Sequence, residues 1–78
     1  MAEPTDADIE HALMDLAHRR GAGKTFCPSE AARALAEDWR PLMARVRRVA
    51  AWLPLTATQR GLPVDARTAR GPIRLGLR

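Results

Sequence analysis

Five groups of side chains have residue types that can do chemistry, and their spacing tests each one. Gly21-Ala22-Gly23-Lys24-Thr25 ends like a phosphate-binding loop. That loop requires Gly, four residues, then Gly-Lys-Ser/Thr, set between a strand and a helix. Here His18 occupies the first glycine position, a helical pattern precedes it, and Phe26-Cys27-Pro28 follows. No helix N-terminus then aims amides at a phosphate, so a helix cap and a turn are expected. His11, Asp15 and His18 share one helical face at i, i+4 and i+7. The two histidines stand roughly 10 Å apart along the axis, too far to share one ion. A solvated face is expected there, and no metal. Cys27 precedes a helix start, where the dipole can lower a thiol pKa, but the sequence sets no base beside it. A buried small residue near a cap is expected. Ser29-Glu30 has no histidine at a triad-like spacing. No catalytic residue, cofactor or small-molecule substrate is assigned, and the chain is expected not to be an enzyme.

The arginines are the fifth group. Arg45, Arg47 and Arg48 fall in one segment, and Arg60, Arg67 and Arg70 in another. A guanidinium binds phosphate, or the guanine edge, with two parallel hydrogen bonds. The exposed face of the first segment offers Arg and Ala, without the Ser, Thr, Asn or Gln that usually accompany base reading. That composition favours phosphate contact over sequence recognition. The expected function is weak, largely nonspecific nucleic-acid binding, with duplex DNA as the first candidate. The alternative is a protein-interaction or dimerisation module, whose Arg/Trp flank meets an acidic partner or a second copy.

Charge distribution bears on this choice. Residues 1–40 hold eight acidic and five basic residues, whereas residues 41–78 hold eight arginines and one acid, Asp65. Such asymmetry points to an anionic partner. Twelve of the thirteen basic residues are Arg in an Ala-rich chain, which a GC-rich coding sequence also produces, so a merely solvated surface stays open. Cys27 is the only cysteine, so no intrachain disulfide can form, and a reducing cytoplasmic compartment is expected. The acidic N-terminus lacks the apolar stretch of a signal peptide. No apolar run approaches the roughly 18 residues of a membrane span.

These side chains need elements to position them. Thr5 caps a first helix from about Asp6 to Arg20, with acids in its first turn and Gly21 as a left-handed C-cap. Ile9, Ala12, Leu13, Leu16 and Ala17 form its apolar stripe. Thr25-Phe26 fits a brief edge strand. Pro28 opens a short second helix ending near Glu37, with Ala32, Leu35 and Ala36 inward. Leu42, Val46, Val49 and Leu53 recur at helical spacing and predict a third helix from about Trp39 to Leu53, ended by Pro54. Trp39 is expected to pin the second helix to the third, and Trp52 to pack beneath the segment that follows. After Pro54 the period changes to two: residues 55–60 and 73–77 alternate, with Ile73, Leu75 and Leu77 on one face. Three helices followed by a hairpin predict a mainly α chain with a small β-hairpin. The expected fold is a winged helix-turn-helix over residues 1–78, with a tail at 1–5 and a wing loop at 61–72.

Blocks along the chain carry a resemblance. Cys27-Pro28-Ser29-Glu30, Asp38-Trp39-Arg40-Pro41-Leu42-Met43 and Val46-Arg47 form the first half. Gln59-Arg60-Gly61, Pro63-Val64-Asp65 and Ala69-Arg70-Gly71-Pro72-Ile73-Arg74-Leu75 form the second. From about Ile9 to Leu77 the chain resembles the bacterial family catalogued as domain of unknown function 3253. The resemblance implies a winged-helix fold and no particular biochemistry. The stretch Trp52-Leu53-Pro54-Leu55 is shorter than the family's helix-to-strand junction, which implies an irregular first wing strand.

Overall fold

The computed structural model describes residues 3–78. Of the expected tail, residues 1 and 2 lie outside the described residues, and Thr5 belongs to a helix cap. Helix α1 spans Asp6–Arg20. The Thr5 hydroxyl accepts from the Asp8 amide at 3.1 Å, and the Asp8 carboxylate accepts from the Thr5 amide at 2.9 Å. Two of the helix's otherwise unpaired donors are thereby satisfied. Ile9, Leu13 and Ala17 are buried, while Ala12 and Leu16 pack against them half-buried. Gly21 closes the helix at φ 86°, but its ψ of 172° carries the chain outward instead of into a left-handed turn.

Helix α2 spans Pro28–Leu35, two residues shorter than expected at its C-terminal end. Its buried residues are Pro28, Ala31 and Ala32, and small side chains there let α2 lie close against α1. Leu35 and Ala36 are only half-buried, so the inner face lies one turn earlier than the apolar spacing predicts. A 3-10 turn over Arg40–Leu42 leads into α3, Met43–Ala50. The expected helix from Trp39 to Leu53 is therefore tightened at both ends. Pro41 occupies the first turn, and Pro54 disfavours helical geometry at Leu53. The amides of Trp52 and Leu53 bond three residues back, to Val49 and Ala50, at 3.0 and 3.2 Å.

The sheet is larger than the expected two-stranded hairpin. Strands β1 (Thr25–Phe26), β2 (Leu55–Gln59), β3 (Leu62–Pro63) and β4 (Arg74–Leu77) form an antiparallel sheet in the order β1-β4-β2-β3. β2 pairs with β4 from Leu55↔Leu77 to Thr58↔Arg74, as the alternation predicts. The junction before β2 is short yet leaves that strand regular, because the Leu55 amide bonds Leu53 across Pro54 at 2.7 Å. The expected loop over 61–72 contains β3, which folds back on β2 through the turn at Arg60-Gly61. β1 crosses β4 so closely that a Cβ at Gly76 would lie 2.8 Å from the Lys24 carbonyl.

Ile9, Leu13, Phe26, Val46, Ile73 and Leu75 are the large side chains at the centre, each at most 2% exposed. Together with Ala31 and Ala32 of α2, they draw all three helices and the sheet into one core. Among the described residues, no helix is long and apolar enough to cross a membrane.

Candidate nucleic-acid interface

The structure divides the six arginines into two sets of three. Arg45 is half-buried on α3, and its guanidinium donates to the Asp6 carboxylate at 2.8 Å. It ties α3 to the first turn of α1. Arg47 donates to the Ala69 carbonyl at 2.8 Å and to the Gly71 carbonyl at 2.6 Å. Both ends of that guanidinium thus serve the backbone of the segment leading to β4. Arg67 grips Asp65 through two side-chain bonds of 3.1 and 2.8 Å, and its amide donates to the same carboxylate at 2.9 Å. These contacts hold the Asp65 carboxyl down at about 2 and push the Arg67 guanidinium up.

Arg48, Arg60 and Arg70 form the second set. All three are exposed, and their guanidinium groups form no ion pair among the described residues. Arg48 follows Arg47 on α3, and Arg70 lies between the two carbonyls that Arg47 holds. The helix and the 69–71 segment are therefore one mechanical unit. Arg60 sits at the tip of the β2–β3 hairpin with φ 54°, a backbone region that side chains other than Gly, Asn and Asp rarely occupy.

Trp52 departs from expectation. It is 78% exposed instead of packed, with the Arg67 guanidinium 6.0 Å from its ring. Because α3 ends at Ala50, the tight turn carries Leu53 inward instead, and Leu53 and Ala66 are buried where Trp52 is not. Trp39 is half-buried against the core. Arg33 and Arg40 each lie 4.7 Å from its ring centroid, a cation–π arrangement that the sequence reading does not include.

The other candidate groups also have local partners. Asp15 takes Arg19, and the His18 ring lies 2.8 Å from the Met14 carbonyl. Cys27 is half-buried rather than buried, and the Ser29 hydroxyl donates to its sulfur at 3.1 Å. Glu30 accepts from the Cys27 amide at 2.9 Å and also binds Arg20. Those contacts, the Cys27 amide foremost, hold its carboxyl below the usual range. Among the described residues, no group of three or more His, Cys, Asp or Glu is placed to hold a metal ion.

Sequence reasoning misses Gln59 and Leu62. Gln59 donates to the carbonyls of Arg70 and Pro72, the latter at 3.2 Å. Leu62 is 69% exposed. The available signal is Arg60-Gly61: a glycine at the second central position, after alternating residues, marks a two-residue hairpin turn. No curated protein matches the chain. The sequence model of the family described as "Protein of unknown function (DUF3253)" matches residues 6–78, and the chain belongs to that family.

Proposed function

We propose that the chain is a winged-helix module that binds nucleic acid weakly and with little sequence preference, duplex DNA first, in the cytoplasm and without catalysis. The element order supports the fold reading: α1, β1, α2 and α3 precede the β2–β4 pair, and β1 joins that pair along β4. In this reading α3 is the recognition helix, and the hairpin with its following segment is the wing.

One observation carries the binding proposal. Arg47 fastens the segment bearing Arg70 to the helix that carries Arg48, so the backbones bearing two exposed, unpaired cations are tied together before any ligand arrives. Holding a charged group in place before binding reduces the ordering cost of association. Arg60 adds a third unpaired cation at the hairpin tip. Arg45 and Arg67 already neutralise carboxylates and are reserves. Three phosphate contacts predict a slope of log affinity against log salt of roughly −3 on duplex DNA.

The test is a titration of the whole chain against unrelated duplexes at several salt concentrations. Similar affinities with that slope, reduced by about 0.9 in Arg48→Ala, support the proposal. A slope near zero overturns it. Exposure of Trp52 favours a second reading, a protein interface at the end of α3. A concentration-dependent dimer abolished by Trp52→Ala, together with the flat salt response, establishes that reading instead.

A further inference from the structure

The β2–β3 hairpin and residues 70–74 frame an open groove of about 830 Å³. Gln59 and Leu62 are cross-strand partners, so their side chains lie on the same face of the hairpin. Gln59 uses that position to hold the Arg70 and Pro72 carbonyls. Leu62, beside it, has no such occupation. It remains 69% exposed as part of the groove wall, with Pro63 and Pro72 also exposed there.

The charged part of the groove has one sign. Arg60, Arg70 and Arg74 line it, and among the described residues no carboxylate does. Arg74 is oriented by Thr25, donating to its hydroxyl at 3.1 Å and its carbonyl at 3.0 Å. Arg60 and Arg70 are the unpaired cations already described. This lining suits an occupant that carries negative charge together with an apolar group.

Two features decide among such occupants. Among the described residues no aromatic side chain lines the groove, so a nucleobase has no ring there on which to stack. An aliphatic and prolyl wall suits an apolar side chain instead. Pro63, at the edge of the sheet, has no amide to donate, so an added strand cannot pair along β3 in full, and side chains must carry recognition.

We propose that this groove docks an acidic segment of a partner protein, an extended chain that seats an aliphatic side chain on Leu62 and Pro72 and sets carboxylates on Arg60 and Arg70. The groove is prepared for it, because Gln59 on one side and Arg47 on the other fix the 69–72 segment before binding. Peptide docking does not rest on the nucleic-acid reading.

The test uses fluorescence anisotropy with the whole chain and a labelled peptide alternating glutamate with leucine. The comparison peptide has serine for every leucine, and an oligonucleotide of deoxythymidine serves as a third probe. Burying one leucine side chain corresponds to about a tenfold gain in affinity, so the leucine peptide is expected to bind about tenfold tighter than the serine peptide. Leu62→Ser is expected to remove that difference with the melting temperature unchanged, since the side chain lies in water. Arg60→Ala and Arg70→Ala are expected to weaken both peptides several-fold. Equal binding of the two peptides overturns the proposal, as does an unchanged leucine preference in Leu62→Ser. Oligonucleotide binding that falls in Leu62→Ser, without a leucine preference among the peptides, also overturns it by giving the groove to nucleic acid.

Discussion

Arg47 and Gln59 hold alternate carbonyls of one four-residue segment: Arg47 takes those of Ala69 and Gly71, and Gln59 takes those of Arg70 and Pro72. Successive carbonyls of this segment are held from opposite sides, and Gly71 at φ 84° gives the segment a bend. A helix residue can therefore hold one pair and a strand residue the other. The planar guanidinium spreads its donors widely enough to reach carbonyls two residues apart, which an ammonium cannot do as two fixed parallel bonds. The segment has no ladder partner of its own, and this clamp takes the place of one. It sets where the chain turns into β4 and where Arg70 and the groove wall lie.

Neighbouring arginines on α3 are thereby expected to separate in their effects. Arg47→Ala removes two charge-assisted bonds and leaves two carbonyls to water, and should cost about 2 kcal/mol of stability. Arg47→Lys should recover only part of it. Arg48→Ala, on the exposed side, should shift stability by no more than about 0.5 kcal/mol. Urea denaturation of the three variants measures this. Equal losses for Arg47→Ala and Arg48→Ala would show that the clamp contributes nothing.

A second contrast concerns Leu42 and Trp52, both expected from the sequence to be interior. Leu42 is 8% exposed and Trp52 is 78% exposed. Leu42→Ala should cost about 2–4 kcal/mol. In a chain this small, which is expected to be only marginally stable, that loss should leave a substantial unfolded fraction at ambient temperature. Trp52→Ala removes a larger side chain yet should change stability by less than about 0.5 kcal/mol. Thermal melts followed by far-ultraviolet circular dichroism distinguish them, and a lower melting temperature for Trp52→Ala than for Leu42→Ala would reverse the assignment.

What the sequence reveals follows from the range of the interactions involved. α1 is legible because its cap, its acids, its stripe and its closing glycine are all local. The β2–β4 pairing is legible because alternation places Leu55, Leu75 and Leu77 on one face. The ends of α3 are less so, since propensity does not show how far Pro41 and Pro54 tighten the neighbouring turns. β3 is hidden by Pro63, which reads as a loop residue yet is tolerated at a sheet edge. The roles of Arg45 and Arg47 are hidden for another reason. Their partners lie 39 residues away at Asp6 and 22 and 24 residues away at Ala69 and Gly71, and a free cation and a structural one are the same letter in a sequence.

Asp65 provides a pH dependence with a definite sign. Its carboxyl titrates at about 2 in the folded chain against an ordinary 3.8, chiefly because the Arg67 side chain bonds the ionised form. A lowered folded-state pKa stabilises the fold above the unfolded value, and that contribution is lost as pH falls through the folded value. The Asp65–Arg67 contact should therefore stabilise the fold above pH 4 and fade between pH 4 and 2. Carbon-detected NMR titration of the Asp65 carboxyl should give a midpoint near 2, rising toward the ordinary value in Arg67→Ala. An ordinary midpoint in the unaltered chain would mean that the pair does not persist in solution.

Arg60 offers the sharpest separation of stability from binding. Arg60 and Gly61 form the two-residue connection of the β2–β3 hairpin, with φ of 54° and 81°, the sign pattern of a type I′ turn. That turn favours Asn or Gly at its first central position, because a longer L side chain meets steric cost in the left-handed region. Arg60→Asn keeps the turn and relieves that cost, so it should raise stability by about 0.5–1 kcal/mol, read as a higher urea midpoint. If Arg60 contacts a phosphate, the same substitution should lower affinity for duplex DNA and shrink the salt slope by about 0.9. Arg60→Lys supplies the control: it retains the charge and the strained geometry, so the slope should hold and stability should not rise. A more stable Arg60→Asn chain with an unchanged slope would place the hairpin tip outside the nucleic-acid contact. A less stable one would mean that the arginine side chain supports the turn through contacts worth more than the strain.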